Sequence, residues 1–247
     1  MSDSTSIINR EDEAITSAGR ATLYALLAYG FASPEPLRWQ IVTGSLVPAT
    51  ATIMLPEPLA SLVVELATHA PAEAAQLEAP HFELFPPVAH QDAPAYETAY
   101  RGDDLFRQMD LLADVAGFYR AHGLRTGGSE RERPDHIVVE LEFCSLLCRK
   151  ELHALRGSSR ERLAVCRQTM RSFLADHLAC WAPAFGRRVA AVTFHPWYRA
   201  LGQLLAAWVE EDAARLRIVP AEMADEPLPR GIPDDDTCGP CPPAALP

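Results

Sequence analysis

The chain has 247 residues, 48% of them hydrophobic and 22% charged, and a net charge of −11. That balance excludes a fibrous or largely disordered chain, and so acidic a field argues against a nucleic-acid partner, whose phosphate backbone it would repel. Residues 1–9 show no basic lead into an apolar core. The longest uncharged stretch, 39–56, is broken by Gly44 and Pro48 and carries Gln40, Thr43, Ser45, Thr50 and Thr52, so neither a secretory signal nor stable membrane insertion is predicted and the expected location is cytoplasmic.

Alanine, leucine, arginine and glutamate dominate, and alternating strand patterns are hard to find. The predicted class is all-α. A first helix is expected over about 11–32, with Ala18, Thr22, Ala25 and Tyr29 on one stripe beside Leu23, Leu26 and Leu27, ended by Ser33-Pro34. Short helices near 36–42 and 58–68 bracket the uncharged segment, and another over 72–85 ends at Pro86-Pro87. Residues 86–94 read as a loop with three prolines, a possible hinge for exchange between copies.

Asp103 opens the next helix, with Leu105, Met109, Leu112, Ala116 and Tyr119 predicted on its apolar side and His122-Gly123 as its stop. A charged loop over 124–133 leads to a helix whose first turn holds Pro134 and whose stripe is Ile137, Leu141, Cys144 and Cys148, widened by Phe143 and Leu147. Gly157-Ser158 separates it from a helix over 159–180, and two more are expected over 183–192 and 196–217. Cys144, Cys148, Cys166 and Cys180 fall in apolar helical patterns and read as small buried hydrophobes. The expected organisation is one helical domain, 1–217, and a Pro-rich acidic tail, 218–247, mostly disordered or laid loosely on the surface.

The informative block lies within 94–155. It holds Tyr96-Glu97-Thr98-Ala99-Tyr100, then Leu112-Ala113-Asp114-Val115-Ala116-Gly117-Phe118-Tyr119-Arg120, then Arg133-Pro134-Asp135-His136 followed by Glu140 and Glu142. This arrangement resembles the TorD/DmsD/NarJ family of redox-enzyme maturation chaperones. The proline-aspartate-histidine turn with glutamate four residues after the histidine is the most specific feature. Cys144 stands where relatives often carry methionine, an apolar exchange.

The resemblance implies a single-domain helical bundle and a cytoplasmic binding protein, neither enzyme nor cofactor carrier. Its implied partners are the signal peptide, commonly a twin-arginine one, and the apo catalytic subunit of a molybdopterin oxidoreductase of the dimethyl sulfoxide reductase class. It further implies a monomer or homodimer, with Asp135 and His136 as the matched positions associated with peptide recognition. An alternative within the family is a NarJ-like assembly factor whose client is not exported.

Independent chemistry runs parallel to this. A leader with two guanidinium groups beside an apolar segment needs carboxylates at the mouth of a hydrophobic groove, because arginine grips carboxylate through paired hydrogen bonds that lysine cannot reproduce. Candidate carboxylates are Glu97, Asp110, Asp114, Asp135, Glu140 and Glu142, and candidate groove aromatics are Tyr96, Tyr100 and Phe118. Each has a competing structural reading: a solvated helix face or a helix N-terminus for the acids, a capping role for Asp135, core filling for the aromatics. His136 and Glu140 lie one helical turn apart, a spacing that fits an intrahelical hydrogen bond better than a metal site, and glutamate stands three positions before a histidine only at Glu78 and His81, one such pair where a di-iron bundle requires two. Cys238-Gly239-Pro240-Cys241 spells the thioredoxin tetrapeptide, but Pro242-Pro243 follows and no βαβ pattern precedes it. A thiol-redox enzyme is thus a remote second hypothesis from another class.

Overall fold

The computed structural model describes residues 2–52, 55–86, 92–124 and 132–228. Its elements are α1 (Ser2–Phe31), α2 (Pro36–Thr52), α3 (Glu57–Thr68), a 3-10 turn (Ala74–Leu77), α4 (Glu78–Leu84), α5 (Thr98–Arg101), α6 (Leu105–Ala121), α7 (Ile137–Arg156), α8 (Arg160–Phe173), a π turn (Leu174–Leu178), α9 (Ala179–Val192) and α10 (Pro196–Arg215). No strand occurs among the described residues, only one antiparallel bridge between Tyr96 and His136, so the all-α expectation holds. None of the described helices is long and apolar enough to cross a membrane.

The bundle is organised by two long pairs, α1 along α7 and α9 along α10, with α2, α3 and α8 packed on their flanks. The α7 row Ile137, Leu141, Cys144, Cys148 is buried throughout, together with Phe143 and Leu147, because residues spaced three and four apart share one helix face. Trp181, Trp197 and Trp208 are core residues. All four helical cysteines are buried, and burial pushes the Cys144, Cys148, Cys166 and Cys180 thiols up, consistent with inert packing rather than reactivity. Helices α9 and α10 approach so closely that a Cβ built on Gly202 would lie 2.5 Å from the Gly186 carbonyl oxygen; glycine at both positions lets backbone meet backbone.

A buried ionic centre ties the first pair to the last. Arg20 on α1 donates two parallel hydrogen bonds to Asp212 on α10, both 2.8 Å, and reaches Glu151 on α7 at 3.3 Å. Tyr24 donates to the same aspartate at 2.7 Å, and Arg167 on α8 donates to Glu151 at 2.7 Å. Four helices therefore share one charge network.

Several expectations are corrected. Helix α1 starts well before residue 11, and α2 continues through Gly44 and Pro48, so those residues do not break the helix. On α6 the buried row is Leu111, Val115 and Tyr119, while Leu105 and Met109 face solvent at 68% and 59% exposure. Two stripes share Tyr119, which meets Phe143 edge-on at 4.9 Å between centroids, and the fold turns the other stripe inward. Pro134 sits in the turn before α7 rather than within it. The expected break at Pro183 is absent: α8, the π turn and α9 form one run with Pro183 inside, the widened turn just upstream being a usual site of ladder interruption. Gly123 does end α6 in the left-handed region (φ 78°), but after α7 the left-handed residue is Ser158.

Residues 218–228 lie along the surface, the Ala221, Ala224 and Leu228 amides donating to the Ala175, Cys180 and Ala99 carbonyls at 2.8 Å each. Glu222 pairs with Arg107 at 2.8 Å. The Cys238/Cys241 motif, with the rest of the acidic tail, lies outside the described residues, as do most of the two predicted loops over 86–94 and 124–133.

Candidate functional site

The bridge between Tyr96 and His136 is the seed of the site. Glu97 donates its amide to the Asp135 carbonyl and Ile137 donates to the Ala95 carbonyl, both at 2.9 Å. Asp135, fully buried, fastens the same two segments through its side chain. Thr98 donates its hydroxyl to Asp135 Oδ2 at 2.8 Å, and Arg133 donates to both carboxylate oxygens at 3.0 and 2.9 Å. The Arg133 guanidinium in turn lies 4.8 Å over the Tyr96 ring, which meets the His136 ring edge-on at 5.0 Å. The helix cap is not Asp135 but His136, whose Nδ1 accepts from the Val138 amide at 3.3 Å. Burial, then the neighbouring His81 and Arg133, holds the His136 imidazole down to about 4, so it is neutral at physiological pH and free to accept that bond.

Tyr96 and His136 form one wall of a cleft of about 640 Å³ between the end of α1, the start of α2, the end of α4 and the start of α7. Its apolar lining includes Phe31, Phe85, Ile137, Val138 and Val139, and its carboxylates are Glu35, Glu132 and Glu142. Against these three acids stands Arg38, 3.7 Å from Glu35. His81, also in the wall, is held below its ordinary value by burial. At neutral pH the cleft is therefore acidic as well as oily, in a size range that accommodates a substantial ligand.

The remaining sequence candidates divide. Tyr96, His136 and Glu142 line the cleft. Glu97, Tyr100, Asp135 and Glu140 are buried within the bundle, where none of their carboxylates is open to a guanidinium from outside. Glu97 pairs with Arg101 and lies 3.0 Å from His177 Nδ1, whose Nε2 is 3.2 Å from Asp114. Phe118 packs edge-on against Phe173 and His177, both at 5.4 Å. Tyr100 packs against Trp181 at 5.4 Å. Asp110 is exposed and Asp114's side chain is 65% exposed, both away from the cleft. Sequence reasoning missed Glu35, Arg38, His81, Phe85 and Glu132 as cleft residues. Glu35 sits between two prolines just past the Ser33-Pro34 stop, and nothing local announces that the fold brings it to His136.

Glu140 does not bond to His136 through its side chain. Trp181 Nε1 donates to its Oε2 at 3.2 Å, and its Oε1 has no partner among the described residues. No group of three or more histidine, cysteine, aspartate or glutamate side chains among those residues could hold a metal ion. Burial, then the nearby Glu97, pushes the Glu140 carboxyl well up, which favours its protonated form. Its folded value exceeds its unfolded one, so the associated stability is complete below the unfolded value and is lost as pH rises through the folded value. Glu140→Gln mimics the protonated form. Thermal melts should show the variant losing less stability than the parent as pH rises above the ordinary carboxylate range; parallel losses would contradict a raised Glu140 carboxyl.

Comparison with known proteins identifies a family and several similar chains. Residues 54–187 match the family model described as nitrate reductase delta subunit. The chain is 37% identical over 107 residues to the chlorate reductase assembly chaperone protein of Ideonella dechloratans, covering 43% of this chain and 53% of that one. It is 38% identical over 100 residues to the selenate reductase assembly chaperone protein of Thauera selenatis, covering 39% and 50%. With the chaperone protein TorD of Photobacterium profundum it shares 30% identity over 164 residues, 66% of this chain and 74% of that one. The matched region thus spans about half the length of the first two relatives.

Proposed function

Given that the chain belongs to the nitrate reductase delta subunit family, the TorD/DmsD/NarJ group expected from its sequence, whose similar members are assembly chaperones rather than catalysts, we propose that it holds the apo catalytic subunit of a molybdenum oxidoreductase by its N-terminal leader. The leader enters the cleft beside Tyr96 and His136. In this reading its arginines meet Glu35, Glu132 and Glu142 at the mouth while its apolar segment lies on Phe31, Phe85 and Val138. The observation that carries the reading is the excess of carboxylates over guanidinium around an apolar hollow. The buried Asp135, Glu97 and Glu140 support the walls rather than touch the leader. Binding takes place in the cytoplasm, before cofactor insertion and export.

Arginine readout is tested by calorimetry with a synthetic twin-arginine leader peptide. Exchange of its arginine pair for lysines is expected to weaken binding about tenfold, about 1.4 kcal/mol. Equal affinity for both peptides would contradict geometric recognition of guanidinium. The family description favours a second reading, in which the client is a nitrate reductase-like enzyme that stays in the cytoplasm. A neighbouring catalytic-subunit gene without a twin-arginine leader would support it.

A further inference from the structure

A second hollow, also of about 640 Å³, opens between α7 and α8 on residues that the leader reading does not use. Its lining brings together Arg149, Lys150 and Arg162 with a single carboxylate, Glu161. Several exposed arginines elsewhere find acidic partners: Arg107 with Glu222, Arg167 with Glu13, Arg187 with Glu210, Arg188 with Glu226. Among the described residues, none of the three in the hollow has a carboxylate within ion-pair distance, although Arg149 acts on Glu142 at longer range. In a chain with 33 acidic residues against 22 basic ones, such a gathering runs against the overall charge. Like charges held together repel, and the repulsion is relieved when an anion sits among them.

The donors are partly preset. Lys150 Nζ donates to the His122 carbonyl at 3.0 Å and lies 3.3 Å from His122 Nδ1, while His122 Nε2 is 3.0 Å from the Thr169 hydroxyl. Burial, then Lys150 itself, lowers the His122 imidazole, so the neutral ring can accept from the ammonium. Two of the ammonium's three N–H bonds are thereby engaged, fixing its position and leaving one. Arg149 spends one donor on Ser145 Oγ at 3.2 Å, and Arg162 makes no hydrogen bond to another side chain or carbonyl among the described residues. Free guanidinium forks beside a fixed ammonium are the donor set that binds phosphate oxygens. Val165, 52% exposed, adds an apolar rim for an organic group.

We propose that the α7–α8 hollow is a binding site for a phosphate-monoester dianion, its two charges matching the excess of Arg149, Lys150 and Arg162 over Glu161. The site is separate from the cleft and does not depend on the leader reading.

The probe is phenyl phosphate, titrated by calorimetry into the full chain in chloride buffer at physiological ionic strength. One-site saturation is expected, about tenfold tighter than for the monoanion benzenesulfonate. Inorganic phosphate binding as tightly as the ester would assign the site to free phosphate, within the same proposal. Arg162→Gln combined with Arg149→Gln, two exposed positions whose change leaves the core intact, should weaken phenyl phosphate at least about tenfold. Arg160→Gln, outside the hollow, should leave binding unchanged. The proposal is overturned by absence of saturable binding at millimolar ligand. It is equally overturned by binding that survives the double substitution, or by equal losses in the Arg160 control, which would mark general charge attraction.

Discussion

Replacement of Asp212 by alanine is expected to destabilise the fold by about 3–5 kcal/mol, because it strands Arg20 as a buried cation with only a 3.3 Å contact to Glu151. Asp212 is fully buried, and although burial alone would raise its carboxyl, Arg20, Arg215 and Tyr24 hold it below its ordinary value. The loss is a large share of the roughly 5–15 kcal/mol that stabilises a typical domain. Denaturant melts of the variant should therefore show a much lower midpoint or no folded baseline. The paired change Arg20→Met with Asp212→Leu removes both charges and should recover much of the loss. A single variant within about 1 kcal/mol of the parent would mean that the network contributes little. The consequence reaches the cleft: this centre clamps α1 to α7 and α10, and the far ends of α1 and α7 supply Phe31, His136 and Val138 to its walls.

Neutralising the cleft acts on function instead. The triple variant Glu35→Gln, Glu132→Gln, Glu142→Gln is expected to weaken leader binding about thirtyfold, about 2 kcal/mol, from three partly exposed contacts worth up to about 1 kcal/mol each. Glu35 and Glu142 also offset Arg38, so their loss makes the mouth less negative and weakens its attraction for a cationic leader. Binding by the parent should weaken with added salt, and binding by the variant should do so far less. These side chains are exposed or half-exposed, so the melting temperature should change little. Undiminished affinity in a stably folded variant would remove the carboxylates from the recognition step.

The contrast between α7 and α6 shows which parts of this account were legible in sequence. The α7 row stood out because Ile137, Leu141, Cys144 and Cys148, widened by Phe143 and Leu147, form one broad apolar stripe at helical spacing. On α6, Leu105, Met109 and Leu112 compete with Leu111 and Val115, two apolar rows that spacing alone does not rank, and the tertiary packing turns the second inward. The turn at Asp135-His136 was legible as special, yet its chemistry divides in a way that spacing does not reveal. His136 looks into the cleft, while Asp135, next in the chain, is sealed inside and bound by Thr98 and Arg133. Successive residues across an extended bridge point to opposite sides, and that bridge forms only because 95–97 and 135–137 meet in space. Glu35, Phe85 and Glu132 reach the cleft from three separate stretches of chain, a convergence that belongs to the tertiary fold.

Photocrosslinking locates the leader directly. With benzoylphenylalanine in place of Tyr96 in one protein and of Phe106 in another, the account predicts a covalent adduct between a twin-arginine leader peptide and position 96. Phe106, 79% exposed on α6 and outside the cleft, should give none. Capture at Phe106 with none at Tyr96 would place the leader on α6 and contradict the cleft as its seat.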